Sequence, residues 1–249
     1  MTQNDGVAIF LGAPATAAEA REQVATACRI VARYGHEDLT LGHVSVRGPE
    51  PGTIYVKGKG KALGEVTPED VIEVRLDDPE GHLALGAHLE TAMHLETYRL
   101  RPDIGAAIHT HPVYGIALGA TDAELEFVSH DAVLFCDGVG RYTGTGSLVT
   151  TPEEGRLVAE ALGQRRAALL RNHGILVVGE DVRWAVLAAL TLERAIQVQV
   201  VARSLGTLEP MQPEAVQALY PIKYPANFVD EYWSAWCRAE GRARGEGRR

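Results

Sequence analysis

The sequence predicts an α/β fold built as one domain, and three observations support this. Segments of helical period alternate with short strand-like apolar runs from about residue 16 to about residue 205. The chain has 249 residues, 46% apolar and 23% charged, enough to bury a core without staples, and no repeat or linker divides it. One apolar run, Ala106-Ala107-Ile108-His109-Thr110-His111-Pro112, ends in a His-Thr-His triplet stopped by proline. That pattern predicts a buried strand at the point where it leaves the core.

Composition narrows the function classes. A net charge of −9 argues against nucleic acid or an anionic membrane as partner. Cys28, Cys136 and Cys237 are far apart and form no CxxC pair, so a reducing, cytoplasmic setting is expected. No run approaches about 18 apolar residues, so no membrane span is expected. Met1–Gly6 lacks the basic start of a signal peptide.

The elements follow in order. Residues 1–15 read as a loosely held arm. Thr16–Tyr34 is helical, with an apolar stripe of Val24, Cys28, Ile30 and Val31, and Gly35 closes it. Leu39–Arg47 alternates as a strand, and Thr53–Val56 returns beside it as a hairpin. Lys57-Gly58-Lys59-Gly60-Lys61 then offers amides and positive charge to a phosphate or carboxylate, or is simply solvated. Val71–Leu76 is a further strand. A helix over Leu89–Leu100 places Glu90 and His94 on one face.

After the His-Thr-His strand, Val113–Leu118 reads as a short helix. Thr151 caps a helix with Pro152 at its first position, running to about Leu162. Strands at Ala167–Leu170 and Ile175–Val178 flank Arg171-Asn172-His173-Gly174, and a long helix covers Asp181–Leu205. Beyond it the tail is less regular. Its Tyr220, Tyr224 and Trp233 either close a pocket or pack. Residues 241–249, rich in Gly and Arg, read as disordered. His36 and His82 read as surface histidines.

Residues two apart on a strand point the same way, so His109 and His111 form half of a metal site. His173 supplies a third imidazole from the start of another strand. Three neutral nitrogens with an open position suit a Lewis-acid metal, and Glu90 is the nearby carboxylate that can move a proton. Zn, Mn, Co and Fe fit such a set alike, so one divalent ion per subunit is expected without its identity.

The order Gly42-x-Val44-Ser45-x-Arg47, Glu90-x-x-x-His94, Arg101-Pro102-Asp103, His109-Thr110-His111-Pro112 and Asn172-His173-Gly174 resembles the class II aldolase/adducin family. The resemblance implies a three-layer α/β/α domain with a central, mainly antiparallel sheet. It also implies a homotetramer with active sites between subunits. His109, His111 and His173 match its metal ligands, and Glu90 its acid/base carboxylate. Ser45 falls in the stretch that lines the substrate. Where the family's sugar-phosphate aldolases have Asn, this chain has His43. Where they hold phosphate with serines before the Glu, it has His88 and Leu89. Their phosphate loop corresponds to Lys59-Gly60. Their tyrosine proton donor, from a neighbouring subunit, falls near His130.

These departures resemble the family's decarboxylase branch, which acts on hydroxylated aromatic or pyridine dicarboxylates and oxo acids. The expected function is decarboxylation of a small carboxylate with His43, Ser45, Lys59 and Gly60 as substrate contacts and His130 as a proton donor. The alternatives are a class II aldolase, an adducin-like binding module without chemistry, and an iron-dependent oxygenase on the same scaffold. Every ligand position is filled, which speaks against the binding module.

Overall fold

Seventeen helices and strands appear in a computed structural model that describes residues 2–4, 7–9, 12–78, 81–144 and 147–245. In chain order the first are β1 (Thr2–Asn4), β2 (Val7–Ile9), α1 (Ala17–Val31), β3 (His43–Arg47), β4 (Thr53–Lys57), β5 (Val71–Arg75), α2 (Gly81–Ala84) and α3 (Thr91–Leu100). Then follow β6 (Ala106–Thr110), α4 (Val113–Gly119), β7 (Gly140–Tyr142), α5 (Pro152–Leu162), β8 (Ala167–Leu170), β9 (Gly174–Gly179), α6 (Val182–Leu205), α7 (Pro213–Lys223) and α8 (Ala226–Arg244).

Seven strands form one sheet in the order β5-β4-β3-β6-β9-β8-β7. Only β7–β8 is parallel; the other pairings are antiparallel. The strands are apolar on both faces because helices cover both. Val44, Val46, Ala106, Ile108, Ile175 and Val177 pack with α1, α6 and α8. Ala107, Leu176, Val178, Ala168 and Leu170 pack with α3 and α5. The alternation along β6 sends Ala106 and Ile108 one way and Ala107 the other, so His109 follows Ala107 toward the α3 layer. The expected three-layer α/β/α arrangement is the one observed.

Local sequence explains the element ends. Thr16 accepts the Glu19 amide at the start of α1, and Thr151 with Glu154 forms a capping box at the start of α5. Asp181 accepts the amides of Arg183 and Trp184 and opens α6. This helix is long and apolar enough to cross a bilayer, but 56% of its most apolar stretch is buried against the sheet and its neighbouring helices.

The structure departs from expectation in four places. The strand predicted from Leu39 starts at His43, because Leu41 closes a turn onto Asp38 and Gly42 has φ +73°. A Cβ on Gly42 would meet Leu63, Thr110 and the His109 carbonyl at 3.2–3.4 Å. The expected arm contains a two-stranded ribbon, β1–β2, whose second strand lies against α8; residues 1, 5, 6, 10 and 11 lie outside the described residues. The tail is helical: Pro221 falls in the last turn of α7, and Pro225 starts α8. These prolines break the periodicity that the sequence reading relied on. The apolar side of α8 is buried through Val229, Trp233 and Cys237, and a buried Arg29–Glu240 ion pair of 2.6 Å ties α8 to α1. The expected disorder from 241 is corrected accordingly, since 241–244 belong to α8; 246–249 lie outside the described residues. This tail packs on the α1/α6 layer, away from the α3 side that His109 faces, so within the chain it does not close a pocket over that histidine.

The fourth departure concerns His36 and His82, which are buried rather than on the surface. His36 Nδ1 hydrogen-bonds Thr110 Oγ1 at 2.8 Å, and burial lowers its pKa to about 4. Because the folded value lies below the ordinary imidazole value, the unfolded chain binds more protons between about pH 6.5 and 4. Stability attached to His36 is therefore full above that window and lost as pH falls through it, by roughly 3 kcal/mol at the limit. Urea unfolding of metal-free protein at pH 7 and pH 5 is expected to show weaker folding at pH 5. The difference should shrink in His36→Gln; an undiminished difference in that variant would exclude His36 as a source.

Candidate metal centre

His109, His111, His173 and Glu90 meet at one end of the sheet, with one ligand atom from each lying within 4.8 Å of the others. Hydrogen bonds fix the tautomers of the first two. His109 Nδ1 donates to the Ile175 carbonyl at 2.9 Å, and His111 Nδ1 donates to Asp38 Oδ2 at 3.0 Å. Each ring has thus spent its N–H outward and keeps a bare lone pair on Nε2. Those two Nε2 atoms face each other at 3.0 Å. Two lone pairs at that distance repel unless a cation lies between or beside them.

The third imidazole comes from the β8–β9 connection. Asn172 adopts φ +55°, a left-handed conformation that Asn tolerates, and the chain turns back within three residues. His173 Nε2 is buried without a hydrogen-bond partner and lies 3.4 Å from Glu90 Oε2. Gly174 allows the approach: a Cβ there would sit 2.4 Å from the Thr110 carbonyl oxygen and 2.7 Å from His111. An orphaned buried nitrogen and a facing pair of lone pairs fit a bound divalent cation. The outward hydrogen bond to Asp38 has the form that orients metal-bound imidazoles.

Glu90 does not share a helix face with His94, as the sequence suggested. It precedes α3 as the capping residue. Its Oε1 accepts the Val149 amide at 2.9 Å, and its Oε2 turns to His109 at 3.7 Å. Burial alone would raise its pKa; the close imidazoles of His109 and His173 and the hydrogen bond from the Val149 amide outweigh burial and hold it well below the ordinary carboxylate range. It is a carboxylate at neutral pH.

A second group of polar side chains lies beside the cluster. His43 is in register with His109 across β3–β6, and their ring centres are 5.0 Å apart. His43 Nδ1 meets His94 Nε2 at 2.8 Å, and His94 Nδ1 meets Ser45 Oγ at 2.6 Å. Ser45 is fully buried with its hydroxyl engaged by His94 and Tyr98, a supporting place rather than one open to a ligand. His88, with its ring centre 5.0 Å from that of His43, takes a hydrogen bond from Lys57 Nζ at 3.1 Å.

Lys57 is not a loop residue: it ends β4, is fully buried, and also donates to the Thr40 carbonyl. The sequence placed His88 where the family's aldolases hold phosphate and Lys57 in a possible anion-binding run, but not the bond between them or the burial of Lys57. Their signal was their position, two residues before Glu90 and at the end of a strand beside the His43 strand. Lys59 and Gly60 lie on the exposed loop beyond, and His130 is exposed with its carbonyl taken by the Tyr224 hydroxyl. Among the described residues no hydrogen bond or ion pair joins Lys59, Gly60 or His130 to the cluster.

Residues 22–200 match the family described as Class II Aldolase and Adducin N-terminal domain. The chain belongs to this family. A 3,4-dihydroxyphthalate decarboxylase of Arthrobacter keyseri is 31% identical over 221 residues, 84% of this chain and 88% of that protein. A 5-deoxy-D-ribulose 1-phosphate aldolase of Bacillus thuringiensis serovar kurstaki is 30% identical over 193 residues, 75% of this chain and 86% of that protein. The solved L-fuculose 1-phosphate aldolase from Glaciozyma antarctica PI12 superposes with a TM-score of 0.81 at 25% identity, covering 96% of this chain and 97% of that one. Class II aldolase relatives of this chain thus include both decarboxylases and aldolases.

Elemental analysis of purified protein is expected to find about one divalent metal per chain, lost in His109→Ala. Asp38→Asn, which removes the carboxylate behind His111, should weaken metal binding by about 10–100-fold. Gly174→Ala should do so by displacing the Thr110–His111 backbone. Unaltered affinity in both would show that the outward supports do not organise the centre.

Proposed function

We propose that the chain is a divalent-metal-dependent carbon–carbon lyase that decarboxylates a hydroxylated aromatic, phthalate- or pyridine-dicarboxylate-like acid. The observation that supports this most is the facing pair of bare Nε2 atoms on His109 and His111, set beside the ionised Glu90. A Zn, Mn, Co or Fe ion held by His109, His111 and His173 would supply Lewis acidity for negative charge developing on a substrate oxygen.

Glu90 works as a proton carrier. Held as a carboxylate, it first takes the proton of a substrate hydroxyl. The carbon–carboxylate bond then breaks, its electron pair stays on the ring carbon, and CO2 leaves. Protonated Glu90 returns its proton to that carbon, and solvent reprotonates the oxygen. His130 is the second candidate donor, contributed by a neighbouring copy in a homotetramer, since among the described residues no hydrogen bond or ion pair ties it to the cluster.

Two features favour a non-phosphorylated, partly apolar substrate. The positions at which sugar-phosphate aldolases hold phosphate are occupied by His88, already bonded to Lys57, and by Leu89, which is 53% exposed. Val113 and Leu148, two residues after His111 and next to the Glu90 partner Val149, are exposed apolar residues as well. Lys59 and Gly60 remain outer contacts for a substrate carboxylate in this reading. The second reading, a class II aldolase, is favoured by the likeness to the two sugar-phosphate aldolases. A non-catalytic adducin-like module would have no use for the four-membered cluster.

With metal supplied, a panel of hydroxylated aromatic acids should give CO2 without an aldehyde; an aldehyde product from any hydroxy-keto or sugar substrate would move the aldolase reading to the front. Glu90→Gln should retain metal and lose about 10²–10⁴-fold in kcat.

A further inference from the structure

His43 is oriented from behind by a buried chain of hydrogen bonds. His43 Nδ1 meets His94 Nε2 at 2.8 Å, His94 Nδ1 meets Ser45 Oγ at 2.6 Å, and Ser45 Oγ meets the Tyr98 hydroxyl at 3.0 Å. None of the four side chains is more than 2% exposed. Such a chain can run in two directions. In one, Tyr98 donates to Ser45, Ser45 donates to His94 Nδ1, and His94 Nε2–H donates to His43 Nδ1. His43 then carries its proton on Nε2.

In the other direction His43 Nδ1–H donates to His94, and His94 Nδ1–H donates to Ser45. Ser45 must then donate either to the Ala107 carbonyl, a long contact of 3.4 Å, or to Tyr98. The second choice leaves the phenolic proton without an acceptor among the described residues. Only the first direction satisfies the Tyr98 hydroxyl, Ser45 and His94 through short bonds of 2.6–3.0 Å, and a buried hydroxyl left unpaired or on a long contact is disfavoured.

We propose that His43 is locked as an Nε2–H donor beside the metal centre, with Ser45 and His94 as positioning residues that hold this tautomer. A fixed donor at that place selects for a ligand bringing a second oxygen acceptor, a carboxylate or carbonyl, and against one bringing an N–H donor. His88 and Lys57 reinforce the preference, because Lys57 Nζ donates to His88 and places positive charge behind the same wall. The ligand preference rests on the metal-centre reading above. The tautomer assignment does not.

Imidazole-¹⁵N labelling with ¹⁵N–¹H correlation spectra separates protonated from bare ring nitrogens, and His43→Gln assigns the signals. In metal-free and zinc-loaded protein alike, His43 should show a protonated Nε2 and a bare Nδ1. Ser45→Ala should populate both tautomers, Ser45→Thr should restore one, and Tyr98→Phe should keep it, since Ser45 still donates to His94. A protonated Nδ1 on His43 in the unaltered protein, or an unchanged pattern in Ser45→Ala, would overturn the assignment.

For the ligand preference, oxalate is titrated into zinc-loaded protein. Binding at least 10-fold weaker in Ser45→Ala, at equal zinc content, is expected. Equal binding would overturn the selection role. Failure of every variant and the unaltered protein to hold zinc would overturn the metal-centre reading and leave the metal-free spectra to judge the tautomer.

Discussion

The candidate site depends on the pairing of β6 with β3 on one side and β9 on the other. That double antiparallel register puts His109 opposite His43 on one neighbour and opposite Leu176 on the other. It also brings the Ile175 carbonyl to His109 Nδ1. Register on a strand is all-or-none for side-chain direction: a slip by one residue would turn His109 to the α1 layer and Ile108 toward Glu90. The two apolar faces make such a slip prohibitive, because Ala106 and Ile108 fill one core and Ala107 the other. The burial that folds the sheet is therefore what aims the histidines.

A cluster of imidazoles in a buried place raises the question of charge. Burial lowers the pKa of His111 and His88 to about 4 and of His94 to about 3, and pushes His43 well down, with neighbouring histidines adding to the effect. All four stay neutral at neutral pH, so each offers one N–H and one lone pair. The structure disposes of the N–H groups in fixed directions and leaves the lone pairs of His109 and His111 facing each other. Lys57 is the exception, a buried lysine that hydrogen-bonds the Thr40 carbonyl and His88 and, among the described residues, forms no ion pair, with the Asp70 carboxylate acting on it only at longer range. Its burial lowers its pKa, and positive charge there matches a site built for an anion.

Much of this was legible in the sequence, for physical reasons that differ by element. The strand period of two made His109 and His111 a pair, and the Asn172-His173-Gly174 turn between two apolar runs marked the third imidazole. The helical stripe of α1 and the long apolar α6 followed from periodicity of 3.6. Other features depend on tertiary packing that no local pattern encodes. Glu90 reads as a helix-face residue, yet it stands at the N-cap position without a side-chain cap bond, and its carboxylate is held instead by the Val149 amide from a distant loop. Lys57 sits in a Lys/Gly-rich run, yet it is buried by the strand it ends. His36 is buried because the turn after α1 lays it against Thr110. The tail read as irregular because Pro221 and Pro225 mark a helix end and a helix start, which a periodicity count takes for a break.

The cluster suits decarboxylation and aldol cleavage alike because both reactions leave an electron pair on carbon next to a carbon–oxygen group. What would stabilise that charge is common to both: a cation on imidazoles such as these, and a carboxylate able to move one proton. What separates them is the wall that receives the rest of the substrate. A phosphate needs several free donors converging on it. Here the nearest wall residue, His88, accepts from Lys57 instead of presenting a free donor, and its neighbour Leu89 offers only apolar surface. In the proposed tautomer His43, whose ring centre lies 5.0 Å from that of His109, carries its proton on Nε2 and offers a donor there. In the proposed reading, a directed N–H beside exposed leucine matches a flat acid that turns one oxygen to His43. It matches a sugar phosphate poorly, because the dianion would have to be desolvated against leucine.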